Sequence, residues 1–227
     1  MSLDPGTVPS LTLLDGPMPE PELVPGRTLF LIIDMQLYAA HPDHGMGRRA
    51  REKGLADRFA YYFAQVEAAV PVIRDVIGAC REAGVQVAHL ISEGRTADGR
   101  DLSREYRKRK VMTVRGAPDG EILPELAPAE DDLIFRKTTA GGFAGTDLDF
   151  TLRSLGVRTL IVAGVATNQC VESTVREASH LGYDVVLLQD GCATYSPEWQ
   201  FFSLQSMADQ FASLRPGADV AAALRGG

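Results

Sequence analysis

Cysteine is scarce in this sequence, three residues in a chain of 227, and so small and odd a number does not make a disulfide framework. A reducing compartment, the cytoplasm, is the expected setting, which leaves a thiol available for chemistry. Long apolar runs are missing too: none reaches the roughly 18 residues that a membrane span requires, and no membrane partner is expected. Positive charge is in deficit, since 23 Lys and Arg face 30 Asp and Glu for a net charge of −7. That balance argues against a surface that tracks nucleic-acid phosphates. The N-terminal stretch lacks a basic region followed by an apolar one, so no secretory signal is expected there. Three signatures are absent as well: a Gly-x-Gly-x-x-Gly after a strand, a Gly-Lys-Ser/Thr ending on the glycine-rich loop 141–146, and a Gly-x-Ser-x-Gly elbow. No nucleotide cofactor and no serine nucleophile are therefore expected. His41-Pro42-Asp43-His44 lacks the i, i+4 spacing of a helical metal pair, and no Asp-x-His follows the second apolar run, so no metal is expected.

What is present is ordinary globular composition, 45% hydrophobic and 23% charged, in a chain of a size that favours one large domain. Residues 1–26 read as an extended arm and residues 27–227 as a single domain. Thr28 to Ile33 is a continuous apolar run of strand length, the pattern of a strand buried on both faces. Tyr61 to Val70 reads as a helical piece kinked or broken at Pro71. That proline opens a helix with Val72, Ile73, Val76, Ile77 and Cys80 on one face and Gly84 as its C-terminal cap. Val85 to Ile91 is the next strand, and Glu93 to Arg115, rich in Arg and Lys, reads as a solvated excursion. Asp132 to Phe135 makes a third strand, after which Thr146 caps a helix through Leu155. Thr159 to Ala163 is a fourth strand, followed by a helix with Val171, Val175, Ala178 and Leu181 on one face. Val185 to Leu188 is a fifth strand, with Cys192 beyond it, and Glu198 to Ala212 reads as a helix. This alternation predicts an α/β domain, a doubly wound and mostly parallel sheet with helices on both faces.

In such sheets ligands bind at the carboxyl ends of the strands, which singles out polar residues that end or follow a strand. Asp34, Lys137 and Cys170 meet that condition. A thiol at a helix N-terminus beside a cation favours the thiolate, so a depressed pKa is expected for Cys170. A carboxylate that moves the thiol proton and an ammonium that holds both complete a set suited to nucleophilic acyl transfer. The turn Gly164 to Cys170 offers backbone N–H groups near the sulfur, as an oxyanion requires. Cys80 and Cys192 read as structural.

Three blocks, Leu31-Ile32-Ile33-Asp34-Met35-Gln36, Arg136-Lys137-Thr138 with Gly142 to Leu148, and Gly164 to Thr174, together resemble the isochorismatase-like cysteine hydrolases. The resemblance covers about Arg27 to Thr194. It implies a six-stranded parallel sheet, a catalytic triad of Asp34, Lys137 and Cys170, a homo-oligomer (dimer or tetramer), and a cis peptide at Val165–Ala166. That peptide would aim the N–H groups of Ala166 and Cys170 at the oxyanion. The block from Ala166 to Thr174 is most similar to the ureidoacrylate and biuret hydrolase side of the family.

The expected function is therefore a cysteine-dependent amidohydrolase that cleaves a C–N bond of a small linear amide or ureide through a thioester, releasing ammonia. The alternative is a non-catalytic small-molecule binding or thiol-sensing protein on the same fold. Substrate contacts are expected from Gln36, Tyr38, Thr139, Phe143, Thr167 and Asn168, each close in sequence to a triad member. For a carboxylated substrate, an arginine from the stretch Arg95 to Arg109, Arg95 first, is the expected partner.

Overall fold

The computed structural model describes Gly16 and residues 19–110 and 113–226. Most of the expected arm lies outside these residues, and residues 19–26 carry neither helix nor strand. In chain order the elements are β1 (Thr28–Ile33), α1 (Leu37–Ala40), α2 (Gly45–Glu52), α3 (Ala60–Ala83), β2 (Gln86–Ser92), α4 (Arg104–Arg109), β3 (Leu133–Lys137), α5 (Leu148–Ser154) and β4 (Thr159–Val165). They continue with a π-helical turn (Thr167–Val171), α6 (Glu172–His180), β5 (Asp184–Ala193), α7 (Pro197–Met207), β6 (Ser213–Arg215) and α8 (Gly217–Arg225). Among the described residues the strands form one six-stranded sheet in the order β3-β2-β1-β4-β5-β6, parallel throughout.

All six residues of β1 are buried, and their alternation divides them between two cores. Phe30 and Ile32 pack with Tyr62, Ile73 and Val76 of α3 and Val220 and Leu224 of α8. Leu29, Leu31 and Ile33 pack on the opposite face with Leu148 and Leu152 of α5 and Val175 and Ala178 of α6. Helices thus cover both faces, which is why the central strands read as unbroken apolar runs.

The structure departs from the sequence reading where packing overrides a local signal. The break expected at Pro71 does not occur: α3 runs through it for 24 residues. Tyr62, Val66 and Ala69 before the proline and Ile73, Val76 and Ile77 after it enter one core, while Pro71 faces solvent. Water can then serve the carbonyl that loses its intrahelical donor. Thr146 caps from one position early, its Oγ1 accepting from the Leu148 N–H at 3.1 Å. Leu181 leaves the buried face of α6 and is 40% exposed. The last expected helix stops at Met207, where Ala208 turns extended at ψ 139° and Asp209 follows with a left-handed φ of 59°, and the chain then adds β6 to the sheet edge. Cys192 lies inside β5, whose pairing with β4 shifts register between Val162 and Gly164.

That shift sits beside a close approach of β4 to β1. Gly164 has φ of 122°, and a β-carbon there would lie 2.1 Å from the Ile33 carbonyl oxygen, the register partner on β1. No L side chain fits that conformation or that gap. Gly164→Ala is expected to lower Tm by about 5–10 °C, the equivalent of about 2 kcal/mol or more in a chain this size, whereas a shift under about 1 °C would show that β1 and β4 can spread freely.

Candidate active site

The strand order reverses between β1 and β4, and the crevice outside their carboxyl ends is where a doubly wound sheet accepts a ligand. Asp34 is the first residue after β1. Its φ of 52° is left-handed, a conformation that aspartate tolerates better than most side chains. Its N–H donates to the Leu90 carbonyl at 2.9 Å, which anchors the turn to β2. Lys137 is the last residue of β3 and is fully buried, so its side chain reaches past the end of β2 to meet Asp34. Cys170 lies in the π-helical turn that links β4 to α6. The Val165–Ala166 peptide before that turn is cis, and the Ala166 carbonyl accepts from the Gln169 and Val171 N–H groups at 2.9 and 3.3 Å.

The three side chains meet at one point. Lys137 Nζ lies 2.8 Å from Asp34 Oδ2 and 3.4 Å from Cys170 Sγ. It also donates to Ser92 Oγ at 2.9 Å, Tyr106 Oη at 3.0 Å and the Thr139 carbonyl at 3.2 Å. The Ser92 hydroxyl in turn donates to Asp34 Oδ1 at 3.0 Å. Burial alone would strip the Lys137 proton, but Asp34, with Cys170 and Tyr106, outweighs it and holds the ammonium above the usual lysine range.

The expectation of a depressed thiol pKa is corrected here. Burial, together with the Asp34 carboxylate, pushes Cys170 up to about 12, and Lys137 opposes this only in part. The reason is charge counting in a dry site: Asp34 and Lys137 already sum to zero, so a thiolate would add an unpaired buried charge. Moving the thiol proton onto Asp34 keeps the sum at zero. Cys170 is therefore a resting thiol beside a base, in the layout that general-base activation of a nucleophile requires.

A cavity of about 300 Å³ opens over this cluster. Asp34, Ser92, Tyr106, Ala166 and Cys170 form its polar floor, while Tyr62, Phe59, Tyr195, Met46 and Leu55 supply an apolar wall. Of the expected substrate contacts, Gln36 and Tyr38 line it. Gln36 also has a structural duty, accepting from the Ser92 N–H at 2.8 Å and donating to the Gly120 carbonyl at 2.7 Å. Thr139, Phe143, Thr167, Asn168 and Arg95 are not among the described residues that line the cavity. Thr167 Oγ1 donates to Gln200 at 2.8 Å, Asn168 Oδ1 accepts from Thr194 at 2.6 Å, and the Phe143 N–H donates to Glu177 at 2.9 Å. Arg95 is exposed and donates to the Gly145 carbonyl at 3.3 Å. His44, from the histidine pair, is bound to Asp119 at 3.0 Å.

Three contributors escaped the sequence reading. Ser92, at the end of β2, was readable by the same rule that found Lys137. Tyr106 comes from the stretch taken as a solvated excursion, yet its ring is buried. The signal there was Leu102 and Tyr106 at i, i+4 spacing within an otherwise charged segment. Arg49, on α2, lines the mouth and carried no local signal.

An Isochorismatase domain model matches residues 28–219. The chain is 32% identical over 199 residues to the ureidoacrylate amidohydrolase RutB of Rhizobium rhizogenes, covering 80% of this chain and 76% of the relative. It is 30% identical to the enzyme of the same name from Agrobacterium fabrum, over 80% of this chain and 82% of that one. Among solved structures, a cysteine hydrolase from Pseudomonas syringae pv. phaseolicola superposes with a TM-score of 0.75 at 30% identity, over 90% of this chain and 95% of the other.

A thiol held at about 12 in the folded chain and near 8.5 in the unfolded one supports the fold fully below about pH 8.5, and that support is lost as the pH climbs toward 12. Cys80 and Cys192, also pushed up to about 12 by burial, add to the same loss. Native protein is expected to show no thiolate ultraviolet band between about pH 6 and 8.5, with stability to urea declining above about pH 9. A native thiolate that titrates below about pH 8 would mean that Lys137 and the helix end outweigh burial.

Proposed function

The chain belongs to the isochorismatase family of hydrolases, and from that membership we propose that it is a cysteine-dependent amidohydrolase acting on a small linear ureide or amide. The observation that carries this reading is the contact of Cys170 Sγ with Lys137 Nζ at 3.4 Å, with Asp34 2.8 Å from the same nitrogen, on the floor of a cavity of small-molecule size. As Sγ attacks the substrate carbonyl carbon, Asp34 takes the thiol proton and Lys137 stays charged beside both. The oxyanion formed is met by the backbone N–H groups of Ala166 and Cys170. Collapse breaks the C–N bond, and the nitrogen leaves as ammonia with the proton from Asp34. A thioester remains, or a thiocarbamate where the substrate is a ureide. Water then attacks the same carbon, Asp34 takes its proton, and the acid departs as the thiol is restored.

Charge at the mouth supports a carboxylated substrate, such as the one in the relatives' name. Arg49, Lys53 and Arg109 line the cavity, and the acid among its described lining residues, Asp34, is already paired. Arg49, half-buried, is braced by Tyr38 Oη and the Lys110 carbonyl, each at 3.1 Å. Arg49, outside the expected stretch, and Arg109, at its end, are then the candidates for the role expected of Arg95. A thiol sensor is the weaker reading, because all three cysteines are buried and a sensor needs an exposed, ionised sulfur.

Ammonia release, measured over carboxylated ureides, biuret and primary amides, tests the reading. Cys170→Ala is expected to cut kcat by about a thousandfold or more, and silence of the parent protein across the whole panel would overturn the proposal. Arg49→Ala is expected to raise KM for carboxylated ureides about tenfold and to leave neutral ones unchanged. An equal rise for both classes would point to lost cavity shape instead of lost charge recognition.

A further inference from the structure

Tyr106 reaches the nucleophile from α4, a helix whose placement is fixed at both of its ties. The Ser103 side chain accepts the Tyr106 N–H at 3.1 Å, and the Ser103 N–H donates to the Thr138 carbonyl at 2.8 Å, next to Lys137. Leu102, 2% exposed, pins the same turn. The phenol oxygen then lies 3.0 Å from Lys137 Nζ, 3.4 Å from Cys170 Sγ and 3.4 Å from Ser92 Oγ.

Proton counting decides what this hydroxyl does. An ammonium only donates, so at Lys137 the phenol oxygen accepts and keeps its own proton for another partner. Lys137 has three protons, yet five acceptors surround it, and Sγ is the most distant of them. Contacts to sulfur run a few tenths of an ångström longer than contacts to oxygen, so the sulfur is one of five claimants on three protons, with none assured to it. Ser92 Oγ already accepts from Lys137 and donates to Asp34, and a neutral hydroxyl is a weaker acceptor than a sulfur gaining negative charge. Burial keeps the phenol protonated throughout, well above the usual tyrosine range despite Lys137. Other ionisable groups facing the sulfur are Asp34, Lys137, Tyr62 of α3 and Tyr195, which follows β5.

We propose that Tyr106 is a catalytic residue whose hydroxyl donates to the Cys170 sulfur as it becomes a thiolate, sharing with Lys137 the stabilisation of the nucleophile. The proposal rests on the reading of Cys170 as nucleophile, but it is tested by a reaction that needs no substrate. Alkylation of Cys170 by neutral iodoacetamide, followed by mass spectrometry between about pH 6 and 9, reports thiolate formation. Thiolate supply falls tenfold per unit of pKa, while intrinsic nucleophilicity recovers about half of that logarithm.

Tyr106→Phe, which keeps the ring, is expected to raise the thiol pKa by about one to two units and so to slow alkylation about three- to tenfold. With substrate, kcat is expected to fall about ten- to a hundredfold with KM changed less than about threefold. Replacing Tyr106 by 3-fluorotyrosine, a more acidic phenol of nearly the same shape, is expected to move alkylation the other way. Alkylation within about 1.5-fold of the parent in the Phe variant, or slowed by fluorination, would overturn the proposal, and a rise in KM alone would recast Tyr106 as a substrate contact. Should the parent hydrolyse none of the amides, the alkylation arms still decide the tyrosine's role, because they depend only on the sulfur.

Discussion

A lysine ammonium wholly removed from water, 2.8 Å from a carboxylate that is itself 5% exposed, is the constraint on which the rest of the site depends. Each ion costs several kcal/mol to bury, about as much as their mutual attraction returns, so such a pair persists only where every remaining proton and lone pair is used. Here Ser92, Tyr106 and the Thr139 carbonyl share the ammonium's two other protons, and Ser92 covers the second carboxylate oxygen. The pair is thereby fixed in place before any ligand arrives, which is the meaning of preorganisation at a reacting centre. It also fixes the state of the sulfur. Because the pair already balances, Cys170 rests as a thiol, and under the proposed function it ionises as its proton crosses to Asp34.

The scaffold supplies this geometry through strand order. Asp34 and the Ala166 to Cys170 turn leave neighbouring strands at the point where the sheet reverses direction, and Lys137 arrives from the edge strand over β2. Adjacent strand ends lie within side-chain reach of one another, whereas β3 is two strands away from β1, which requires a long side chain. Lysine satisfies that distance and aspartate does not. Gly164 is the cost of bringing β4 so close to β1, and the left-handed turn at Asp34 is the cost of pointing its carboxylate into the crevice.

How much of this was legible follows from range. Asp34, Lys137 and Cys170 are each marked locally, by an apolar strand ending at or just before them or by the glycine turn that precedes the sulfur, and strand alternation with helices announced the sheet. Pro71 misled because its local penalty is real but smaller than two flanking sets of buried contacts on α3. Tyr106 and Arg49 were hidden for the opposite reason: their partners lie far away in the chain, and only Leu102, four residues before Tyr106, gives a local sign of either. Tyr106 meets a lysine 31 positions later, and Arg49 meets the Lys110 carbonyl 61 positions away. Only tertiary closure makes them part of the site. The lone aromatic at i, i+4 from Leu102 in a basic stretch was the one trace that this closure left in the sequence.

The cavity then separates two jobs that a smaller site would force onto the same groups. Its floor is electrically balanced, so under the proposed function the charge that appears during reaction would be met by groups already in place, the Lys137 ammonium and backbone donors. Its mouth, edged by Arg49, Lys53 and Arg109, is net positive even though Arg109 is paired with Glu105 at 3.3 Å, and under the proposed function that charge would select an anionic substrate. Between them stands the aromatic wall of Tyr62, Phe59 and Tyr195, with Tyr195 stacked on Tyr62 at a 4.9 Å centroid distance. Under the proposed function, changes at α2, which carries Arg49, would retune which substrate enters, while the Asp34–Lys137 pair, held by its own hydrogen bonds, would set the chemistry.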